Sequence, residues 1–105
     1  MTPSLAYLHE LAPNDEGFRK RLLHVLVTEF PAEFDSYRNA VAGQQWDTAV
    51  HFLHKLKHKI GILGMPELHA LAEEHEDNLE NGFSPLHGDI MEGLRIIDEF
   101  LKAQQ

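Results

Sequence analysis

Apolar side chains recur every three or four residues through most of the chain, and this spacing restricts the fold to helices. The clearest stretch is residues 46–63, where steps of 4, 3, 4 and 3 separate the apolar positions Ala49, Leu53, Leu56, Ile60 and Leu63. Such a stripe is typical of a helix packed lengthwise in a bundle. Strand-like alternation is almost absent, so the pattern predicts an all-α protein.

Turn-forming residues divide the chain into one short helix, over residues 4–11, and four long ones. Pro suits the first turn of a helix, and Gly suits the residue after the last turn. The predicted breaks are Thr2-Pro3, Ala12-Pro13-Asn14, Gly43-Gln44-Gln45, Gly64 followed by Pro66, Asn81-Gly82 and Ser84-Pro85, with Asn14 or Asp15 as a helix cap. Because short loops join antiparallel neighbours, we expect an antiparallel up-down four-helix bundle with a short extra N-terminal helix.

Each remaining long helix carries its own apolar stripe. The predicted core positions are Phe18, Leu22, Val25/Leu26, Phe30, Phe34, Tyr37 and Val41 in the second helix, Leu68, Leu71/Ala72, His75 and Leu79 in the fourth, and Leu86, Ile90, Leu94, Ile97 and Leu101 in the last. Pro31 lies inside the second stripe and removes one backbone hydrogen bond, so a kink or a brief restart is expected there.

Length and charge narrow the class of protein. The chain of 105 residues fits one domain, over residues 1–105, and it has no cysteine for disulfides, thiolate metal sites or a cysteine nucleophile. Its net charge of −8 disfavours nucleic acid as a partner. Charges interrupt every apolar run before about 18 residues, and no signal peptide is evident, so we expect a cytoplasmic protein without a membrane partner.

The third helix has an unusual outer face. At about 100° per residue, His54 points away from the core stripe, and Asp47, Val50, His51, Lys57, His58 and Gly61 share its side. Basic residues cluster at 55–59, which hints at a site for an anion in an otherwise acidic chain. A glycine on an exposed helix face costs about 1 kcal/mol relative to alanine. Gly61 either leaves room for another surface to approach the helix, or it only loosens the helix end near Gly64.

These residues resemble the signature of histidine-containing phosphotransfer (HPt) domains. The sequence has His54-Lys55-Leu56-Lys57 followed by Gly61, Leu63 and Gly64, and Gly43 and Trp46 are similar to the turn that precedes the active helix of the family. The helix count, the short first helix and the proline in the second element also match. The resemblance covers nearly the whole chain and is closest to free-standing bacterial members.

The resemblance implies a phosphoryl carrier. His54 would accept a phosphoryl group from the receiver domain of a hybrid sensor histidine kinase and pass it to a response regulator, and Lys57 would balance its charge. His51, Lys55, His58 and Gly61 would contact the partner. No cofactor is expected on this chain, because the receiver brings Mg²⁺, and we expect a monomer. No ATP-binding or Gly-rich phosphate motif is present, so autonomous kinase activity is not expected.

Three positions depart from the family pattern. Position 58 is usually small and is His58 here, which either crowds a receiver or helps to hold the phosphoryl group. Position 53 is often alanine and is Leu53. Some members have glutamine 22 residues after the histidine, where this chain has Glu76, and we assign Glu76 no role because its charge would repel a phosphoryl group. The run of residues 73–77 is expected to be a solvated helix face.

Other interpretations stay open. His51 is a rival acceptor, although it lacks the matching lysine and glycine spacing. His51, His54 and His58 lie at i, i+3 and i+7, where imidazoles can bind Zn²⁺, Cu²⁺ or Ni²⁺, but one straight helix seldom brings all three to one ion. The protein could also dock receivers as an adaptor without transferring phosphate. His75, on the apolar stripe, is expected to be hydrogen-bonded and partly buried.

Overall fold

A computed structural model describes residues 2–105, and within that range the only regular elements are five α-helices. They are α1 (Ala6–Leu11), α2 (Glu16–Ala42), α3 (Trp46–Ile62), α4 (Pro66–Glu80) and α5 (His87–Lys102). The predicted class, an all-α bundle with a short extra N-terminal helix, is confirmed.

The four long helices form a closed ring of neighbours. Helix α3 packs against α2 and α4, and α5 packs against the same two helices from the other side. Short connections of residues 43–45 and 63–65 reverse the chain between α2 and α3 and between α3 and α4. Helix α1 lies against α2, and the backbone N–H of Ser4 donates to the carbonyl of Leu63 at 2.8 Å, which ties the N-terminal segment to the end of α3.

The predicted stripes form most of the core. All five apolar positions of the α3 stripe are fully buried, as are the main positions of α4 and α5. In α2 the core runs through Leu26, Phe30, Phe34 and Tyr37. The prediction was wrong for Phe18, which remains 40% exposed, and of the pair Val25/Leu26 only Leu26 is buried, since Val25 is 39% exposed. Phe18 and Val25 both lie in the N-terminal half of the 27-residue helix α2.

The ends of the helices match the predicted capping and turn residues in part. The Asp15 carboxylate accepts a hydrogen bond from the backbone N–H of Phe18 at 2.9 Å and caps α2. Gly64 follows α3 with φ of +72°, a conformation that favours glycine, so its predicted role in ending the helix is confirmed. Helix α5 starts at His87 and not at Ser84-Pro85, which form a turn before it. Likewise α1 starts at Ala6, and Pro3 lies outside it.

Pro31 does not interrupt α2, which continues through it from Glu16 to Ala42. The restart considered from the sequence is therefore absent. A proline lacks the N–H that would bond to the carbonyl four residues earlier. Phe30 and Phe34 are both buried on the core side, so packing keeps the two halves of α2 in phase across Pro31.

Two features of the packing were not predicted. Gly93 is buried in α5, and a Cβ atom placed there would lie 2.5 Å from Cδ1 of Leu68, so a side chain at this position would collide with α4. Lys59, counted in the predicted basic cluster, is buried between α2 and α3, where its Nζ lies 3.0 Å from carboxylate oxygens of Glu29 and Glu33. Lys59 therefore serves the helix interface and is not part of an anion site.

Candidate functional site

Helix α3 presents His54 to solvent on its outer face. Leu53 and Leu56, on either side of His54 in the sequence, are fully buried, because both lie on the stripe that packs against α2 and α4. The His54 side chain is 55% exposed. The exposure predicted from helix phase is thus observed, and an external group can reach the imidazole.

Glu76 of α4 holds both His54 and Lys57. Its Oε1 lies 2.9 Å from Nδ1 of His54, and its Oε2 accepts a hydrogen bond from Nζ of Lys57 at 2.8 Å. The side chains of Glu76 and Lys57 are only 11% and 12% exposed. One carboxylate therefore links the exposed histidine to a largely buried ammonium group.

This contact defines which histidine nitrogen is free. A carboxylate without a proton can only accept a hydrogen bond, so the nitrogen facing Glu76 must carry the proton. In a neutral imidazole with a proton on Nδ1, the lone pair is on Nε2. The geometry thus orients the ring with a nucleophilic nitrogen away from Glu76.

The sequence-based interpretation of Glu76 was wrong in two respects. Glu76 does not lie on a solvated face but is buried at 8% exposure, as is His75 beside it at 0%. Its carboxylate also meets the Nδ1 side of His54, and its charge is shared with Lys57. The family pattern carried a signal for this contact, because some members have glutamine 22 residues after the histidine, where this chain has Glu76. The negative charge of Glu76 argued against giving it that role.

The other predicted contact residues surround His54 on α3. The His58 ring lies 4.6 Å from the His54 ring, measured between centroids, with the planes at 57°. His51 is exposed and meets the edge of Phe52 at 5.0 Å. Lys55 is exposed, and its Nζ lies 5.9 Å from the centre of the Phe52 ring. His54, Lys57 and His58 therefore come together, whereas His51 and Lys55 flank them.

Gly61 is exposed, and its neighbourhood does not itself require glycine. A Cβ atom there would lie 3.5 Å from Cδ2 of His69, an ordinary van der Waals distance. Its φ angle is not positive. Neither backbone conformation nor internal packing therefore accounts for Gly61.

The predicted metal alternative lacks a matching geometry. Among residues 2–105, no group of three or more histidine, aspartate or glutamate side chains is arranged to hold a metal ion. His54 directs Nδ1 to Glu76, and His51 packs on Phe52, so the three histidines of α3 do not converge on one point.

A second histidine cluster lies inside the bundle. The hydroxyl of Tyr37 lies 2.6 Å from Nε2 of His75 and 2.9 Å from Nδ1 of His87, which joins α2, α4 and the start of α5. Burial and the neighbouring His87 lower the pKa of His75 to about 4, and burial lowers the pKa of His87. The sequence predicted a hydrogen-bonded His75 but gave no signal for His87.

Fold and site together define a class: a helical bundle with an exposed histidine on its flank, held by a buried carboxylate. Residues 21–104 match the family model described as Hpt domain. That match covers most of the chain, which therefore belongs to the Hpt domain family. Comparison with curated proteins found no match, and comparison with solved structures found none either.

Family membership establishes the general activity. Hpt domains carry out histidine phosphotransfer in two-component phosphorelays, and they act as phosphocarriers and not as kinases. They interact with the receiver domains of response regulators or hybrid kinases. In the part of the chain that the structure describes, no helix is long and apolar enough to cross a membrane.

Proposed function

We propose that His54 is the phosphoryl acceptor of this Hpt domain and that Nε2 is the reacting atom. The observation that carries the proposal is the Nδ1 contact with Glu76 on a ring that is 55% exposed. It leaves one accessible nitrogen with a lone pair. His51 has no equivalent carboxylate on its ring among residues 2–105.

The chemical step is an in-line displacement at phosphorus. The Nε2 lone pair attacks the phosphorus atom of an aspartyl phosphate on a receiver domain, and a N–P bond forms. The P–O bond to the aspartate breaks, and its electron pair leaves with the carboxylate. No proton needs to move, because Nδ1 keeps its hydrogen and the ring becomes positively charged. Transfer onward to a response regulator is the same step in reverse.

Glu76 is a positioning residue in this scheme. The ring gains positive charge as the N–P bond forms, and the carboxylate 2.9 Å from Nδ1 stabilises that charge. The same contact fixes the tautomer and the ring orientation before the partner arrives. This is the logic by which a buried carboxylate orients a catalytic histidine in hydrolases.

Lys57 balances the incoming phosphoryl group. Its Nζ is held 2.8 Å from Glu76, one helical turn from His54, so the ammonium group is already beside the reacting ring. A lysine can move between a carboxylate and a phosphoryl oxygen because it acts as a point charge on a flexible stem. Mg²⁺ and the aspartate come from the receiver, and this chain supplies the nucleophile and its two charged neighbours.

Docking of a receiver would use the outer face of α3. Exposed Gly61 lets the partner approach the helix about two turns beyond His54, and His51, Lys55 and His58 border the path. The proposed partners are the receiver of a hybrid sensor kinase and a response regulator. The chain is proposed to act as a monomer in the cytoplasm.

Replacement of His54 tests this proposal. Incubated with an autophosphorylating hybrid kinase, the wild-type protein should acquire an acid-labile, base-stable phosphate. His54→Gln should abolish the label while helical circular dichroism is unchanged, because the side chain is exposed. His24→Gln, which removes an exposed histidine of α2, is the matched control and should label normally.

The outcomes separate the alternatives. Label that persists in His54→Gln, or that maps to His51, contradicts the assignment of the acceptor. A wild-type protein that binds the receiver but never acquires label acts as an adaptor. Calorimetric titration with Zn²⁺ tests the metal hypothesis, which requires binding tighter than about 10 μM, or about −7 kcal/mol.

A further inference from the structure

The departure of position 58 from the family pattern has a structural counterpart beside the proposed acceptor. The ring of His58 lies 4.6 Å from that of His54, and both side chains are exposed on the same face of α3. Among residues 2–105, His58 forms no hydrogen bond or ion pair. Its ring nitrogens are therefore free to bind an incoming group.

The contacts of His54 show where additional donors are needed. Glu76 occupies the Nδ1 side, and Lys57 is bound to the same carboxylate. A phosphoryl group on Nε2 has three acceptor oxygens. Lys57 donates to Glu76, and the ring of His58, 4.6 Å from that of His54, offers a second donor beside the proposed acceptor.

We propose that His58 is a phosphoryl-binding residue: its ring N–H donates a hydrogen bond to a phosphoryl oxygen on His54. This inference rests on the proposed function, and it adds a residue that contacts the group being carried. His58 forms no covalent bond, and its proton stays on the imidazole. It occupies space that a small residue would leave open, and in exchange it stabilises the phosphorylated state.

The expected consequence is a longer-lived phosphohistidine. Because His58 is exposed, its hydrogen bond should have the ordinary net strength, which changes an equilibrium or rate by about 3- to 10-fold. Loss of the donor should therefore shorten the lifetime of the phosphorylated protein by about that factor. Replacement by glutamine should retain most of the lifetime, because its amide N–H reaches a similar position.

The experiment measures loss of phosphate from the isolated phosphoprotein. Wild type, His58→Ala, His58→Gln and the control His24→Ala are phosphorylated with phosphoramidate, freed of donor, and followed by ³¹P NMR. The half-life should fall about 3- to 10-fold in His58→Ala and stay near the wild-type value in His58→Gln and His24→Ala. The ¹⁵N resonances of the His58 ring should also shift when His54 is phosphorylated.

The results distinguish failure of this inference from failure of the proposed function. If His54 is phosphorylated but His58→Ala has the wild-type half-life, His58 does not bind the phosphoryl group. If the phosphate maps to His58 itself, His58 is an acceptor and the inference is wrong. If no histidine is phosphorylated either by phosphoramidate or by a hybrid kinase, the proposed function fails and His58 loses its ligand.

Discussion

A carboxylate beside His54, the proposed acceptor, is the main unexpected feature at the scale of residues. A bare glutamate near a phosphoryl group would be repulsive, so the sequence alone assigns Glu76 no role. The structure shows that both of its oxygens are engaged, Oε1 by His54 and Oε2 by Lys57. Its charge thus lies on the Nδ1 side of the ring, where it would stabilise the positive charge that the proposed reaction creates.

Substitution of Glu76 should separate hydrogen bonding from charge. Glu76→Ala removes the acceptor for Nδ1 and should slow phosphotransfer at least about tenfold, since a hydrogen bond to a charged group contributes about 1.5 kcal/mol or more. Glu76→Gln keeps an oxygen that can accept from Nδ1 and should lie between Ala and wild type. The initial rate of labelling from a phosphorylated receiver measures both. Equal rates in the two variants would contradict a positioning role.

Lys57 should affect the reaction more than the fold. Lys57→Ala removes the cation proposed to balance the phosphoryl group, and we expect transfer to slow by about tenfold. Its loss frees one oxygen of Glu76, so the melting temperature should fall by no more than about 8 °C, which corresponds to about 1 kcal/mol. Labelling kinetics and thermal denaturation of the same preparation check this. An unchanged transfer rate would refute the electrostatic role.

The residue scale also shows how far sequence reasoning reaches. The exposure of His54 could be predicted, because it depends only on the phase of its own helix relative to Leu53 and Leu56. The contact with Glu76 could not be predicted from helix phase alone, because it depends on the axial register between α3 and α4. Periodicity within one helix carries no information about that register.

At the scale of helices, the sequence predicted which helices exist and their order better than it predicted where each helix ends. Helix α5 begins at His87, two residues after the proline expected to open it. A proline fits the first helical turn, but it fits a preceding turn equally well. The inward role of Lys59 was missed for a related reason. A basic run predicts an anion site, whereas the partners of Lys59, Glu29 and Glu33, lie on another helix.

Gly93 fixes the distance between α4 and α5. A Cβ there would meet Leu68 at 2.5 Å, and Leu68 is 1% exposed, so Gly93→Ala should destabilise the bundle by about 1–3 kcal/mol. Gly88→Ala in the same helix is the matched control, because apart from its chain neighbours and the adjacent helix backbone no atom lies within 4 Å of its Cβ. Helix propensity should make this control neutral or stabilising by up to about 1 kcal/mol.

Urea denaturation of both glycine variants measures the difference. A Gly93→Ala protein as stable as Gly88→Ala would mean that Leu68 moves aside freely and that the close approach of the two helices is not required. Since Glu76 also belongs to α4, a shift of that helix should be visible in phosphotransfer. We therefore expect Gly93→Ala to lower the rate as well as the stability.

At the scale of the whole molecule, a buried polar cluster connects three of the four long helices. The Tyr37 hydroxyl bridges His75 of α4 and His87 of α5, and Tyr37 and His75 are fully buried. The hydroxyl has one proton, so it donates to one imidazole and accepts from the other. Nδ1 of His75 is buried without a hydrogen-bond partner, which makes a charged His75 costly.

This cluster makes stability depend on pH in a defined direction. Burial, with the charge of His87, lowers the pKa of His75 from 6.5 to about 4, and burial lowers that of His87. The unfolded chain therefore binds protons at these sites before the folded protein does. Stability is fully present above pH 6.5, falls as the pH drops through the range between 6.5 and 4, and levels off below the folded pKa.

The pH dependence of unfolding tests the cluster in the intact bundle. For His75 the difference in pKa corresponds to about 3 kcal/mol, most of which should be lost between pH 7 and pH 4.5 in urea titrations. His75→Gln removes that titrating group, so its stability should vary less over this range, although it starts lower because Tyr37 loses a partner. His9→Gln, an exposed substitution in α1, should keep the wild-type slope. If His75→Gln retains the full wild-type slope, the acid sensitivity arises elsewhere, and the buried histidine pair does not control it.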